Sequence, residues 1–272
     1  MASACGAWSG ITRATPVHEP ACGGGAESEF LREYPLKLFV HIPKTAGTSL
    51  RHRLEANLGS RLACDYGPDH PLTHPELKAS AGRAQGELRD ALERAGVSVL
   101  YGHTRYPLWN EAFSTGEVMS ILRHPVDRCI SHYQHFLSHG GAPEDPLATG
   151  VATGQLTLQE FAAAVQQRNL QAHQLGITEA SLGSLGDFGL LMTSEDLSFR
   201  LELGERRNRG RRSFSVTSGD IDAILENNAL DMKLYELVRQ AWREGYWAWA
   251  VPEMLRPSGR WFRWRHFRRR GG

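Results

Sequence analysis

The stretch "KLFVHIPKTAGTSL" (37–50) constrains the fold of this chain more than any other. Leu36 to His41 reads as a buried strand, and a helix is expected from about Thr48 to Leu58. Between them lie a lysine, a glycine and hydroxyl side chains. Strand, glycine-bearing turn and helix together form an anion cradle: the first-turn N–H groups point at the ligand and the helix dipole favours negative charge. Lys44 adds a mobile point charge, and Thr45, Thr48 and Ser49 add hydroxyl donors. Gly47 lets the backbone approach closely. The bland alternative is an ordinary turn carrying an exposed lysine, and so many small and hydroxyl residues speak against it.

The loop departs from the nucleoside-triphosphate pattern G-x-x-x-x-G-K-[ST], because Lys44 lies three residues before Gly47. The expected partner strand, "EVMSILR", ends in Arg123 rather than a metal-binding aspartate. A triphosphate site commonly uses Mg²⁺ to neutralise its charge. A strand ending in arginine offers a fixed cation to a second phosphate, with no metal required. The next helix, from about Pro125 to His139, carries Arg128 and Ser131 three residues apart, neighbours on one helical face. A guanidinium and a hydroxyl there form a two-point clamp for a phosphate monoester. The competing reading pairs Arg128 with Asp127.

Strand-like and helix-like patterns alternate along the body of the chain, which predicts an α/β fold: one P-loop-like domain with a central, mainly parallel sheet flanked by helices. Further strands are expected in "VSVLYGH" and "FGLLMTSED", and further helices around 87–95, 158–165 and 230–241. The apolar stripe Ile130, Tyr133, Leu137 is expected to face the sheet. "GGAPEDPLATG" reads as an exposed loop. Three segments follow: a flexible tail over 1–34, the domain over 35–255, and a basic, aromatic tail over 256–272.

With 272 residues the chain can bury a full α/β core. A formal net charge of +1 gives no global field for nucleic acid, and none is expected as a partner. Charge is uneven locally, with five arginines in "ERRNRGRR" and seven after Glu253. The four cysteines show no metal-type spacing, which suits a reduced compartment. No bilayer-spanning apolar run or secretory leader is legible, so a cytoplasmic location is expected, with an organelle transit peptide as the alternative. The terminal "WFRWRHFRRR" has the composition of a peripheral contact with an anionic membrane surface or a polyanionic acceptor, or of a disordered basic end.

"FVHIPKTAGTSL" and "ILRHPVDRCISHYQHF" together resemble the two nucleotide motifs of the sulfotransferases that use 3′-phosphoadenosine 5′-phosphosulfate, in the branch of the carbohydrate 2-O- and 6-O-sulfotransferases. "YGHTRYPL" is similar to that branch's catalytic-histidine segment. "NLQ" (169–171), "LLMTSED" and "NNALDMKLYELV" look like weaker landmarks in the family's order, so the likeness runs from about Leu36 to Val238. The resemblance implies that Lys44, Thr45, Ala46, Gly47, Thr48 and Ser49 hold the 5′-phosphosulfate, and Arg123 and Ser131 the 3′-phosphate. It places the basic "RRNRGRRSF" where relatives close a loop over the nucleotide, with Arg209, Arg211 or Arg212 assisting. Relatives often carry arginine after Asn-x-Gln, whereas this chain reads "NLQAHQL".

Sulfuryl transfer needs a base to take the acceptor hydroxyl's proton. His103 is the candidate, at a strand's carboxyl end, where ligands of parallel sheets bind; His41 and His132 rank behind it. Lys44 doubles as the cation that stabilises charge on the leaving phosphate oxygen. The expected acceptor is a hydroxyl compound: a glycan, a glycolipid or a small molecule. A kinase-like phosphotransferase and a non-catalytic nucleotide binder are the competing readings.

Overall fold

The computed structural model describes residues 35–79, 82–140, 144–195 and 214–244. The two expected tails and Arg209, Arg211 and Arg212 lie outside the described residues.

Five short strands form one all-parallel sheet: β1 (Lys37–Val40), β2 (Leu62–Asp65), β3 (Val99–Gly102), β4 (Val118–Leu122) and β5 (Leu190–Thr193). β3, β4 and β5 are buried at every position, the signature of strands covered on both faces. Their order across the sheet is β2-β3-β1-β4-β5. The chain leaving β1 therefore runs to β2 on one side, while the chain leaving β4 runs to β5 on the other. β1 and β4 are neighbours, so a topological switch point opens between their carboxyl ends, the usual ligand crevice of an open α/β sheet. The loop carrying Lys44 and the strand end carrying Arg123 flank it. Within the sheet, the buried Ser120 hydroxyl donates to the Val40 carbonyl at 2.8 Å and ties β4 to β1.

The α-helices that lie wholly within the described residues are α1 (Gly47–Leu58), α2 (Pro75–Lys78), α3 (Gln85–Arg94), α4 (Pro125–His139), α5 (Pro146–Ala152), α6 (Leu158–Ala163), α7 (Leu170–Leu175), α8 (Ser218–Asn227) and α9 (Ala229–Arg243). On α1, Leu50, Leu54 and Leu58 recur at a four-residue interval and are buried with the strands.

The structure corrects several local expectations. β2 was not foreseen; "LACD" is only four residues long and carries a cysteine and an aspartate among its apolar positions. The last five residues of the segment read as a loop (140–150) open α5, whose N-terminus Asp145 caps by accepting from the amides of Leu147 and Ala148. Its Leu147, Ala148 and Val151 are buried, so glycine and proline punctuate a helix here rather than an open loop. Ile130 and Tyr133 of α4 do not face the sheet. They join Phe136, Leu147, Val151, Phe161 and Ile224 in a second apolar cluster built between helices. Periodicity identifies which face of a helix is buried, not what buries it. Val165 lies beyond the end of α6 and is exposed.

Candidate functional site

The loop between β1 and α1 has an unusual backbone. Lys44 (φ 72°) and Ala46 (φ 74°) are both left-handed although neither is glycine. Each such residue costs about 1 kcal/mol or more, and strain of this kind concentrates where a ligand is gripped. The intervening Thr45 is buried, and its hydroxyl donates to the Ile42 carbonyl at 2.9 Å. That proton is committed to pinning the loop, so Thr45 can offer a ligand its amide rather than its hydroxyl hydrogen.

α1 opens without a cap. Ala46 occupies the N-cap position with no side chain able to accept a bond, and the first turn holds no acid. The first amides of the helix are then unsatisfied from within, a donor set that an anion completes. Thr48 is exposed and Ser49 half-buried, and neither hydroxyl bonds to another described residue. No carboxylate among the described residues pairs with Lys44. Its ammonium is held below the ordinary lysine value by burial first and by the nearby Arg123 second.

Arg123 is brought to this loop: its Nη1 donates to the Lys44 carbonyl at 3.1 Å. Two residues from different strand ends, both cationic, therefore converge at the switch point. The field of Lys44 also reaches α4, where burial first and then nearby cations, Lys44 among them, lower His132 and His135 and leave both imidazoles neutral at pH 7. Ser131 sits on the same helix and is half-buried. Arg128 does not form the clamp imagined from its spacing, nor does it pair with Asp127. It is wholly buried, and its Nη1 and Nη2 reach the Gln167 side chain and carbonyl at 3.3 and 3.5 Å. Three residues place Arg128 and Ser131 on neighbouring positions, yet one turn separates solvent from core at this point of α4.

No protein-family model matches the chain, and no curated protein matches it.

His103 follows β3 directly, its amide bonded to the Asp65 carbonyl at 3.2 Å. A Cβ on the preceding Gly102 would stand 2.1 Å from that same carbonyl, so glycine is obligatory where β3 closes on β2. The His103 ring lies 4.5 Å from the His41 ring, centroid to centroid, and 5.0 Å from Tyr66. Burial and then His70 push its pKa down to about 4. The residue remains exposed, so solvent screens part of that effect, but the direction leaves a neutral imidazole at pH 7.

His41 links this histidine to the loop. It is buried, stacked on Tyr101 at 5.1 Å, and pushed to about pKa 3, mainly by burial. A Cβ on Gly47 would sit 1.5 Å from its Nε2. Gly47 is thus required by the His41 ring, a tighter demand than the ligand approach foreseen from sequence. Beneath it, the Tyr101 hydroxyl donates to the Gly47 carbonyl at 2.9 Å. From His103 through His41 to Gly47 the contacts are continuous, which sets the candidate base beside the candidate anion loop.

Sequence reading assigned no role to Tyr66, His70 or Gln171. Tyr66 and His70 follow β2, and missing that strand hid them. Gln171 lay within "NLQ", but only the structure shows it bonded to Arg123.

Proposed function

We propose that this chain is a sulfotransferase that uses 3′-phosphoadenosine 5′-phosphosulfate to sulfate a hydroxyl acceptor. The observation that carries the reading is the convergence of Lys44 and Arg123 on the β1–β4 switch point, beside an uncapped helix N-terminus and a neutral strand-end histidine. This donor set fits a nucleotide with anionic groups at both its 5′ and 3′ positions. The donor supplies an activated sulfuryl group. The acceptor oxygen forms the new S–O bond, the phosphate–sulfate bond breaks, and its electron pair leaves on 3′,5′-phosphoadenosine. The acceptor proton passes to the unprotonated ring nitrogen of His103.

Each residue has a distinct task. Lys44 and the α1 amides hold the 5′ end and stabilise charge growing on the leaving oxygen, where fixed donors act without reorganising. Arg123 and Ser131 hold the 3′-phosphate. His41 stays neutral and serves as a wall that keeps the Gly47 turn and the His103 ring in register. The chain's acceptor class is a hydroxyl compound, with glycans and glycolipids the first to screen.

A thermal-shift comparison tests the nucleotide. Stabilisation by 3′,5′-phosphoadenosine in the absence of Mg²⁺ is expected, and preference for Mg·ATP would favour a phosphotransferase instead. Transfer of label from sulfur-labelled donor to a hydroxyl acceptor then separates an enzyme from a binder. Arg123→Ala should raise the dissociation constant of 3′,5′-phosphoadenosine, and an unchanged constant would remove Arg123 from the site.

A further inference from the structure

We infer that Gln171 is a positioning residue for the phosphate-binding arginine, and that Asp231 holds it in place. β4 ends at Leu122, paired with Thr193 of β5. At the next residue the ladder is continued by a side chain. The Arg123 amide donates to Gln171 Oε1 at 2.9 Å, and Gln171 Nε2 donates back to the Arg123 carbonyl at 3.0 Å. One carboxamide satisfies both backbone groups, as a neighbouring strand would, and fixes the Arg123 backbone at the mouth of the crevice. From there the guanidinium reaches the Lys44 carbonyl.

Gln171 is itself immobilised. It is wholly buried, and its amide donates to Asp231 Oδ2 at 3.1 Å while the Ala172 amide donates to Oδ1 at 2.8 Å. A carboxylate on α9 therefore caps the first turn of α7. Asn169 returns the favour, its Oδ1 accepting from the amides of Leu230 and Asp231 at 2.9 and 3.2 Å. Asn169 is left-handed at φ 45°, the conformation that turns its side chain over to α9. The two helix N-termini cap each other, and the product of that clasp is a rigidly aimed Gln171. The carboxamide carries one acceptor and one donor at the required separation. An ionised glutamate keeps the acceptor but sets a second oxygen against the Arg123 carbonyl, a protonated one restores the donor, and leucine supplies neither.

This inference rests on the nucleotide reading above, and the experiment separates the two. Dissociation constants for 3′,5′-phosphoadenosine and adenosine 5′-phosphate are measured on the wild-type chain, Gln171→Leu and Gln171→Glu, with thermal unfolding as the check on folding. The ratio of the two constants isolates the 3′-phosphate. In Gln171→Leu the ratio is expected to collapse by about tenfold, the scale of a misplaced bond to a charged group, while adenosine 5′-phosphate affinity stays within about twofold. Gln171→Glu should collapse the ratio at a pH where the side chain is ionised and restore it as the side chain protonates. A role in stability alone would weaken both nucleotides in parallel, and that result overturns the inference, as does an unchanged ratio in Gln171→Leu. A wild-type chain with no preference for the 3′-phosphate overturns the nucleotide reading and this inference with it.

Discussion

At the scale of single residues, His103 and Gly47 are tested by different physics. His103→Ala should abolish turnover while 3′,5′-phosphoadenosine still binds, because the ring takes the acceptor's proton and does not hold the nucleotide; full activity would remove it from that role. The pH profile carries the finer test. Burial and His70 lower the His103 pKa from 6.5, so the free enzyme keeps its base well below the usual histidine range. The acid limb of kcat/KM, which reports the free enzyme, should therefore fall below pH 6.5. In kcat the limb should move upward, since a bound polyanion favours the imidazolium. An acid limb at or above the ordinary value in kcat/KM would contradict the assignment. Gly47 is tested by overpacking. Gly47→Ala drives a methyl into the His41 ring and should destabilise by about 1–3 kcal/mol. His41→Ala makes room for it, so the double variant should be less destabilised than the sum of the singles. Strict additivity in urea unfolding would show that the ring does not dictate this glycine.

At the scale of elements, the reciprocal capping of α7 and α9 makes a measurable prediction. Asn169→Ala and Asp231→Ala each strip one helix of its first-turn acceptor, at about 1 kcal/mol or more for a cap, and more for the buried carboxylate. The two side chains share one clasp, so a double-mutant cycle should return a coupling of at least about 0.5 kcal/mol; independent effects would mean the caps act separately. This clasp also marks the limit of what the sequence makes legible. β1, β3 and β4, the helices α1 and α4, and the strand-end positions of Lys44, His103 and Arg123 are written locally, in apolar runs broken by glycine, proline and cations. β2 is not, because "LACD" carries a cysteine and an aspartate where the strands that were read run almost wholly apolar. Nor is α5, where Gly and Pro mimic a loop although Asp145 caps a buried turn. Contacts between residues some sixty positions apart, such as Gln171 with Asp231, leave no local pattern at all. The direction of Arg128 was equally hidden, since spacing on α4 cannot say which side meets the second core.

At the scale of the whole molecule, the neutrality of the buried imidazoles at pH 7 is also a store of acid sensitivity. Burial holds His41 and His132 at about pKa 3, and pushes His103 and His135 in the same direction. An unfolded chain protonates these rings near 6.5, so below that pH the unfolded state binds more protons than the folded one. Stability must then decline as pH falls through this range, by up to about 1.4 kcal/mol per pH unit for each fully withheld ring. Glu117 adds to the decline only below its ordinary 4.5, because Arg89 holds it at about 2. Asp231, whose carboxyl burial pushes above 3.8, works in the opposite sense. The interval from 6.5 to 4.5 therefore belongs mainly to the imidazoles. Urea unfolding at pH 7 and pH 5 should show a loss of several kcal/mol, and His132→Gln, which removes one withheld proton, should flatten the dependence. A stability that stays level across that interval would mean that these rings are hydrated in solution, and with them the wall that sets His103 beside the loop.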